Sequence, residues 1–390
     1  MKVAIVVDYL TSFGGGERVL EALLGVYPEA TVFTSLFEPE RFPAESSISQ
    51  AKVVTSRLNS FPLTHLISKQ LTFLFPFIFS RFDLSPFDLI ISVGTIWSKG
   101  VNFDPSHQRH IFYCLTPPRF LYGYPSETSK RNVWYYKPFT TLIDHWLRIW
   151  DFNTAQKPGE IIVISHEVKR RVQKFYRRDS KIIYPPVRST FNAERSMFSA
   201  KAESVSGEKI QIDEVERRTS NVERSEAYFL IVSRLAAYKG IETAIEACNR
   251  LKLSLKIVGV GKDERRLKRL SKSDLDLVEF LGFRSDDELA GLYTQCRAVI
   301  FPTVNEDYGL VPLEANSFGK PVIGHRSGGI LETQIEGQTA VFYNEDNPAS
   351  LIGALRSFEG RSFSGEECKK NSQRFSQANF RKSWDSLFKI

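Results

Sequence analysis

Short runs rich in Val, Ile and Phe alternate with helical stretches along nearly the whole chain, and no other feature constrains the fold as tightly. The strand-like runs are "KVAIVV", "ATVFTSLF", "FDLIISVG", "RHIFYCL", "EIIVIS" and "KIIYPP", then "YFLIVSRL", "SLKIVGVG", "VEFLGF", "RAVIFPT", "KPVIGH" and "TAVFYN". Helical patterns fall between them, such as "ERVLEALLGVY", with Leu20, Leu23 and Leu24 on one face, and "DDELAGLYTQC", read as opening on an Asp cap. A strand that is apolar at every position is buried on both faces, which indicates parallel sheets lying between helical layers. The series breaks at 192–226, a charged, serine-containing stretch almost free of large apolar residues that reads as a linker or insertion. The expectation is an α/β chain with two doubly wound domains, 1–191 and 227–365. The last stretch, 366–390, spaces Phe375, Phe380, Trp384 and Phe388 as one apolar stripe, read as a helix docking on a neighbouring surface.

A length of 390 residues suits two cores, because single cores seldom grow past about 250 residues. With 42% apolar and 25% charged residues the composition is globular, not disordered or collagen-like. The excess of 52 Lys and Arg over 45 Asp and Glu is modest and points to an anionic partner. The calculated pI of about 9.1 raises nucleic acid as that partner, but the chain shows no helix-turn-helix, zinc or aromatic RNA motif, so no nucleic-acid partner is expected. Cys114, Cys248, Cys296 and Cys368 have no Cys-x-x-Cys spacing or suitable His neighbours, which reads as reduced thiols of a cytoplasmic protein without zinc. The opening "MKVAIVVDYL" reads as a buried strand and not a signal peptide. No run reaches the ~18 apolar residues that cross a bilayer. The nearest, "LTFLFPFIF" at 71–79, is read either as a core helix or as a patch resting on a membrane. Lys169, Arg170, Arg171, Lys174, Arg177 and Arg178 in "HEVKRRVQKFYRR" are likewise a solvated face or a surface for anionic lipid.

In open parallel sheets, ligands bind beyond the carboxyl ends of the strands, so the loops there hold the candidate residues. After the first strand, "FGGGERVLEAL" puts Gly14, Gly15 and Gly16 at a helix start, where they form either a phosphate cradle or a plain tight turn. Farther on, "VSRLAAYKGIETAIEA" ends a strand with Arg234 and sets Lys239 before the next helix, two cations suited to a diphosphate or to solvent. "EDYGLVPLE" follows another strand and opens a helix. Glu306 lies in the loop, Glu314 about one turn into the helix, and Gly309, Leu310 and Val311 offer amides at its start. Hydroxyl recognition beside a phosphate fits these groups better than a metal, which wants more oxygen ligands.

These residues carry a family resemblance. "SRL-x4-KG", "VEFLGF", "EDYGLVPLEANSFGKPVI" and the later Gly328, Gly329 and Glu332 resemble the donor half of retaining glycosyltransferases of family 4, whose GT-B fold has two Rossmann-like domains facing each other across a cleft. "GGGERV", "TPPRFLY" and "IIYPPV" in the first half resemble the family's mannosyltransferases of O-antigen and exopolysaccharide assembly. The resemblance implies that Arg234 and Lys239 bind the donor diphosphate in place of a metal, that Glu306 holds the transferred sugar and that Glu314 holds the ribose. The amides of Gly309, Leu310 and Val311, with Gly14 and Gly15, would complete the donor site. Arg234, Lys239 and Glu306 are the expected catalytic residues. The implied donor is GDP-mannose, with a UDP-sugar or deoxy-sugar as alternative, and no cofactor beyond this co-substrate. The implied acceptor is a glycan, or one linked to polyprenyl diphosphate at the cytoplasmic face of the inner membrane. A non-catalytic partner subunit is the remaining alternative.

One position departs from that pattern. Members with this stretch usually read Tyr-Cys-His-Thr-Pro, whereas this chain reads "YCLTPPRFLY", with Leu115 in place of the His. Leucine neither donates a hydrogen bond nor titrates. The expectation is an inactive chain, an altered sugar site, or compensation by His107 or His110, with the altered sugar site preferred because Arg234, Lys239, Glu306 and Glu314 are all present.

Overall fold

The apolar runs form strands because their side chains are covered on both faces: in β1 (Val3–Val7) all 5 residues are buried, and in β4 (Leu89–Gly94) all 6. The structure, a computed structural model, describes residues 1–60, 74–126, 137–188, 227–272 and 275–388. The chain divides into two compact units, Met1–Pro186 with Gln377–Ile390, and Val187–Ser376. It therefore passes from one unit to the other at Pro186/Val187 and returns at Ser376/Gln377. The charged stretch 192–226 lies outside the described residues.

The first unit runs β1, α1 (Gly15–Val26), β2 (Thr31–Thr34), β3 (Lys52–Thr55), β4, β5 (Arg109–Cys114), α2 (Lys137–Ala155), β6 (Glu160–Val163), α3 (His166–Tyr176) and β7 (Lys181–Ile182). Its strands make one parallel sheet in the order β3-β2-β1-β4-β5-β6-β7. β3 escapes sequence reading because it is a partly exposed edge strand whose pattern is only a Val pair. The second unit runs β8 (Phe229–Val232), α4 (Ile241–Leu251), β9 (Leu255–Val258), α5 (Glu264–Leu270), β10 (Val278–Gly282), α6 (Asp286–Gln295), β11 (Ala298–Phe301), α7 (Leu310–Ser317), β12 (Val322–His325), β13 (Ala340–Tyr343), α8 (Pro348–Glu359) and α9 (Gly365–Gln373). Its parallel order is β10-β9-β8-β11-β12-β13. Each sheet reverses direction once, between β1 and β4 and between β8 and β11. Ligand sites of such sheets form at that reversal.

Two details differ from the sequence reading, and a third decides between its alternatives. The helix α6 is capped by Ser285, not by an Asp: Glu288 N–H donates to Ser285 Oγ at 3.4 Å, Ser285 N–H to Glu288 Oε2 at 2.8 Å, and Asp286 is already helical. The C-terminal stretch is two helices. In the second unit α9 packs on α7, with Asn371 Nδ2 donating to Asn316 Oδ1 at 2.8 Å and to the Thr333 carbonyl at 2.7 Å. The helix α10 (Gln377–Ser386) belongs to the first unit, where Gln377 Nε2 donates to the Ala22 carbonyl at 2.8 Å and Trp384 is fully buried against Tyr113. Of the 71–79 run, the described part is a short helix (Phe75–Phe79) whose Phe75 and Phe79 are core residues, leaving Phe77 exposed. Residues 71–73 lie outside the described residues.

The carboxyl ends of β1 and β4 are joined by one carboxylate. Asp8 Oδ1 accepts from the amides of Trp97 and Ser98 at 2.9 and 2.7 Å, and Oδ2 from Thr95 and Ile96 at 2.9 and 3.2 Å. Charge-assisted bonds of this kind are about twice as strong as neutral ones. The chain they organise leads to Lys99, which is fully buried with Asp151 of α2 at 2.5 Å. Tyr122 and Tyr176 hydroxyls also donate to Asp151, at 2.8 and 3.3 Å. Burial pushes the Asp151 carboxyl up, and Lys99 and the two hydroxyls oppose that shift. Breaking a buried pair strands the remaining charge, so Asp151→Ala is expected to cost about 3–5 kcal/mol, and Lys99→Met/Asp151→Leu to recover part of it. Urea unfolding midpoints of the single and double variants check this; additive losses would show that the two residues are uncoupled.

Candidate functional site

The candidate residues of the second unit lie on the two loops that flank its reversal point. After β8, residues Ser233 to Leu235 are pressed against the loop after β9. A Cβ on Gly259 would sit 1.9 Å from the Ser233 carbonyl oxygen, and one on Gly261 2.1 Å from that of Leu235, so only glycine permits the approach. Leu235 N–H donates to the Val260 carbonyl at 3.0 Å and Asp263 N–H to that of Leu235 at 3.1 Å. Between these fixed residues Arg234 is exposed. Lys239 ends a single 3-10 turn (Ala237–Lys239), and Gly240 follows with φ 65°, closing against the carbonyl of Pro302 in the loop after β11.

That second loop carries Glu306. Lys239 Nζ donates to Glu306 Oε2 at 2.7 Å, with side chains only 14% and 20% exposed. The backbone of Glu306 is held independently. Glu306 bridges Gly328, its carbonyl accepts from Gly329 N–H at 2.8 Å, and the preceding Asn305, at φ 52°, donates its amide to Ser327 Oγ at 2.8 Å. Ser327 Oγ in turn lies 2.8 Å from His325 Nδ1 at the end of β12, so the loop is pinned through a serine and a histidine that sequence reading passed over.

Glu314 keeps different company. Its residue is 2% exposed, Oε2 accepts from the Tyr293 hydroxyl at 3.0 Å, and Oε1 lies 3.5 Å from Arg188 Nε. Arg188 also pairs with Asp286. Neither Tyr293 nor Arg188 stood out in the sequence: Tyr293 reads as a core position of α6, and Arg188 as a charge after "YPPV". At the start of α7, Gly309 adopts φ 96°, and the half-exposed Leu310 and Val311 follow. A helix start of this kind presents amides and a partial positive charge to an anion.

In the first unit, the Gly14 amide donates to Glu17 Oε2 at 2.9 Å, and Gly15 and Gly16 open α1. Leu115 follows the carboxyl end of β5 and is adjacent to this turn, since a Cβ on Gly16 would meet Leu115 Cδ1 at 3.3 Å. Thr116 accepts from Arg171 Nη1 at 3.0 Å, and Arg171, 2% exposed, also bonds Glu167. Arg171 is thus a buried tie between α3 and the Leu115 loop, and not part of a solvated or lipid-facing row. Neither histidine offered as a substitute for the missing one is near Leu115. His107 precedes β5 and pairs with Asp104, and His110 is buried five residues back, roughly 16 Å along the strand, with Nε2 2.8 Å from Ser92 Oγ. Burial, helped by Lys157, pushes the His110 imidazole down to about 3.

Residues 213–375, which hold Arg234, Lys239, Glu306 and Glu314, match the family model described as Glycosyl transferases group 1. An uncharacterized glycosyltransferase of Methanocaldococcus jannaschii is 30% identical over 152 residues, 38% of this chain and 43% of that relative. The chain thus spans less than half the length of this curated relative. Two solved structures resemble the whole chain at 16% identity: HepE of Anabaena in complex with UDP (TM-score 0.67, covering 100% of this chain and 99% of that one), and sucrose-phosphate synthase from Thermosynechococcus elongatus (TM-score 0.70, 100% and 98%). The chain has the GT-B fold, and the match to group 1 glycosyl transferases covers every candidate residue of its second unit.

Proposed function

We propose that the chain is a retaining, metal-independent glycosyltransferase that moves a sugar from a nucleotide diphosphate donor to a glycan or polyprenyl-diphosphate-linked glycan. The observation that carries this reading is the Lys239–Glu306 pair, held at the strand-order reversal inside the stretch that matches group 1 glycosyl transferases. A cation and a carboxylate 2.7 Å apart suit the junction of a sugar and its diphosphate. Lys239, with Arg234, would stabilise the departing diphosphate, the task a metal ion performs elsewhere, and Glu306 would accept from a sugar hydroxyl. Glu314 would receive the ribose, its carboxylate already aimed by Tyr293 and Arg188. The amides of Gly309, Leu310 and Val311 at the start of α7 would be the remaining donors on the second unit.

The donor taken first is GDP-mannose, on the likeness of "GGGERV", "TPPRFLY" and "IIYPPV" to mannosyltransferases. UDP bound to the HepE structure supports a UDP-sugar as the competing donor. An acceptor on a polyprenyl carrier would place the chain at the cytoplasmic membrane face. No helix among the described residues is long and apolar enough to cross a membrane.

Lys239→Ala and Arg234→Ala are each expected to lower kcat/KM by about 100-fold or more with the fold retained, because each removes charge from where negative charge develops. Wild-type turnover by either variant would remove the assigned cations from the mechanism. The glutamates separate in a nucleotide-binding titration run beside a transfer assay. Glu306→Gln should bind nucleotide nearly as wild type and lose turnover, whereas Glu314→Gln should weaken nucleotide binding. The opposite pattern would exchange their roles. A panel of GDP, UDP and ADP sugars, read by thermal shift and then by transfer, identifies the donor. Leu115→His is expected to shift relative kcat/KM toward a fully hydroxylated sugar over a deoxy-sugar by about 1 kcal/mol or more, the scale of one hydrogen bond. An unchanged ranking would argue against an altered sugar site, and absence of transfer from every donor would favour the partner-subunit reading.

A further inference from the structure

One serine hydroxyl ties the loop before Glu306 to the end of β12. That strand ends at His325, and the chain turns back at once, Ser327 N–H donating to the His325 carbonyl at 2.8 Å. The turn lays Ser327 Oγ against the imidazole of the residue two before it, 2.8 Å from Nδ1. The same oxygen accepts the Asn305 amide of the β11 loop at 2.8 Å. A serine oxygen that receives a proton from a backbone amide still has its own to give, and the ring nitrogen beside it is the acceptor. The order is therefore Asn305 N–H to Ser327 O–H to His325 Nδ1.

The imidazole is steadied in turn by β13. Its ring stands edge-on to that of Tyr343, with centroids 5.2 Å apart at 89°, and both residues are buried. Arg326, between His325 and Ser327, is exposed and fastens the turn to the β13 loop: its amide donates to the Tyr343 carbonyl at 2.8 Å, its Nε to Asn344 Oδ1 at 2.9 Å, and its guanidinium pairs with Glu336. Burial holds the His325 imidazole below its ordinary value against the opposing effects of Asp346 and the Asn344 carbonyl, so the ring is neutral at neutral pH and able to accept.

Asn305 needs such an anchor. Its φ of 52° is uncommon outside glycine, and a residue stays in that region only when its surroundings fix it. Glu306 follows directly. On its other side the Glu306 carbonyl accepts from Gly329 N–H at 2.8 Å, so the backbone is gripped both before and after the Cα that carries the carboxylate. Neither grip uses the carboxylate itself, which meets Lys239 Nζ at 2.7 Å.

From this relay we infer that His325 and Ser327 are positioning residues for Glu306, acting through the Asn305 amide to aim its carboxylate at the junction of the transferred sugar and Lys239. The role rests on the transferase reading above and adds to it two residues that no candidate motif contained. Misplacing a catalytic group by about 1 Å costs on the order of 100-fold, so a grip on the backbone of Glu306 has a kinetic consequence.

Four variants test it. Ser327→Ala removes the hydroxyl and Ser327→Thr keeps it; His325→Phe removes the ring acceptor and His325→Asn keeps one near the position of Nδ1. Hydrogen exchange, followed by mass spectrometry on the peptide that holds Asn305 and Glu306, reads the grip whatever the activity of the chain. Exchange there should be about fivefold faster in Ser327→Ala and His325→Phe, the scale of one lost hydrogen bond, with β8 and α4 unchanged, and close to wild type in Ser327→Thr and His325→Asn. Turnover of GDP-mannose and UDP-glucose with water as acceptor reads the consequence. Ser327→Ala and His325→Phe should lose about tenfold in kcat while binding GDP or UDP within about twofold of wild type, and the conservative pair should recover most of the loss. In a Glu306→Gln background Ser327→Ala should cost nothing further, because both changes act on one carboxylate. Unchanged exchange in Ser327→Ala, or unchanged kcat beside an active wild type, would overturn the inference. So would a loss shared equally by kcat and nucleotide affinity, which marks a purely structural role. A wild type that binds neither nucleotide and turns over neither donor counts against the transferase reading instead, and the exchange result then decides the relay.

Discussion

Glycine backbone lying against the backbone of Glu306 is the contact on which the second unit's site depends. A Cβ on Gly328 would sit 2.3 Å from the Glu306 carbonyl oxygen, and one on Gly329 2.6 Å from that of Asp307, so no other residue allows the β12 loop to close on the β11 loop. The approach supplies backbone bonds that hold Glu306 without using its carboxylate. That carboxylate remains directed at Lys239, whose own loop is set by the same device, Gly240 against Pro302. Four loops at the carboxyl ends of β8, β9, β11 and β12 are thus locked by glycines, and the charged side chains are what they present.

The first unit solves a similar problem with charge. At its reversal point Asp8 gathers four consecutive backbone amides, and Gly94 leaves room for that carboxylate, since a Cβ there would meet it at 2.7 Å. This is an internal anion held by a row of N–H groups, the same chemistry a helix start offers to a ligand phosphate. The carboxylate at this reversal is closed in by backbone, whereas Glu306 at the other lies against the side chain of Lys239. Asp8 accepts from four backbone amides, while Glu306 is paired with the side chain of the partly exposed Lys239.

Burial likewise sorts the cations. Within one helix, Arg171 is enclosed with Glu167 and Thr116, whereas Arg170 and Lys174, one turn apart, reach solvent. Lys99 shows the extreme case, with no exposed surface and its ammonium shared between Asp151, the Ile96 carbonyl and the faces of Phe112, Trp150 and Tyr176. Nothing in "WSKG" distinguishes this lysine from a surface one. A count of positive charges therefore says little about partners until the fold has decided which of them face water.

The amino-acid sequence by itself determined the α/β class, both parallel sheets and the glycine and charge motifs at the strand ends, because periodicity and strand length are local properties that survive without the fold. It also marked Arg234, Lys239, Glu306 and Glu314 as candidates through motif spacing. It did not reveal β3, whose edge position demands only two apolar residues, or the split of the last stretch into α9 and α10, since one apolar spacing fits a single helix as well as two. Only the tertiary structure brought Lys239 to Glu306 across 67 residues, enclosed Glu314 with Tyr293 and Arg188, and separated His110 from Leu115 along β5. These pairings depend on which strands become neighbours. Strand order follows from the packing of whole layers, and no short window of sequence contains it.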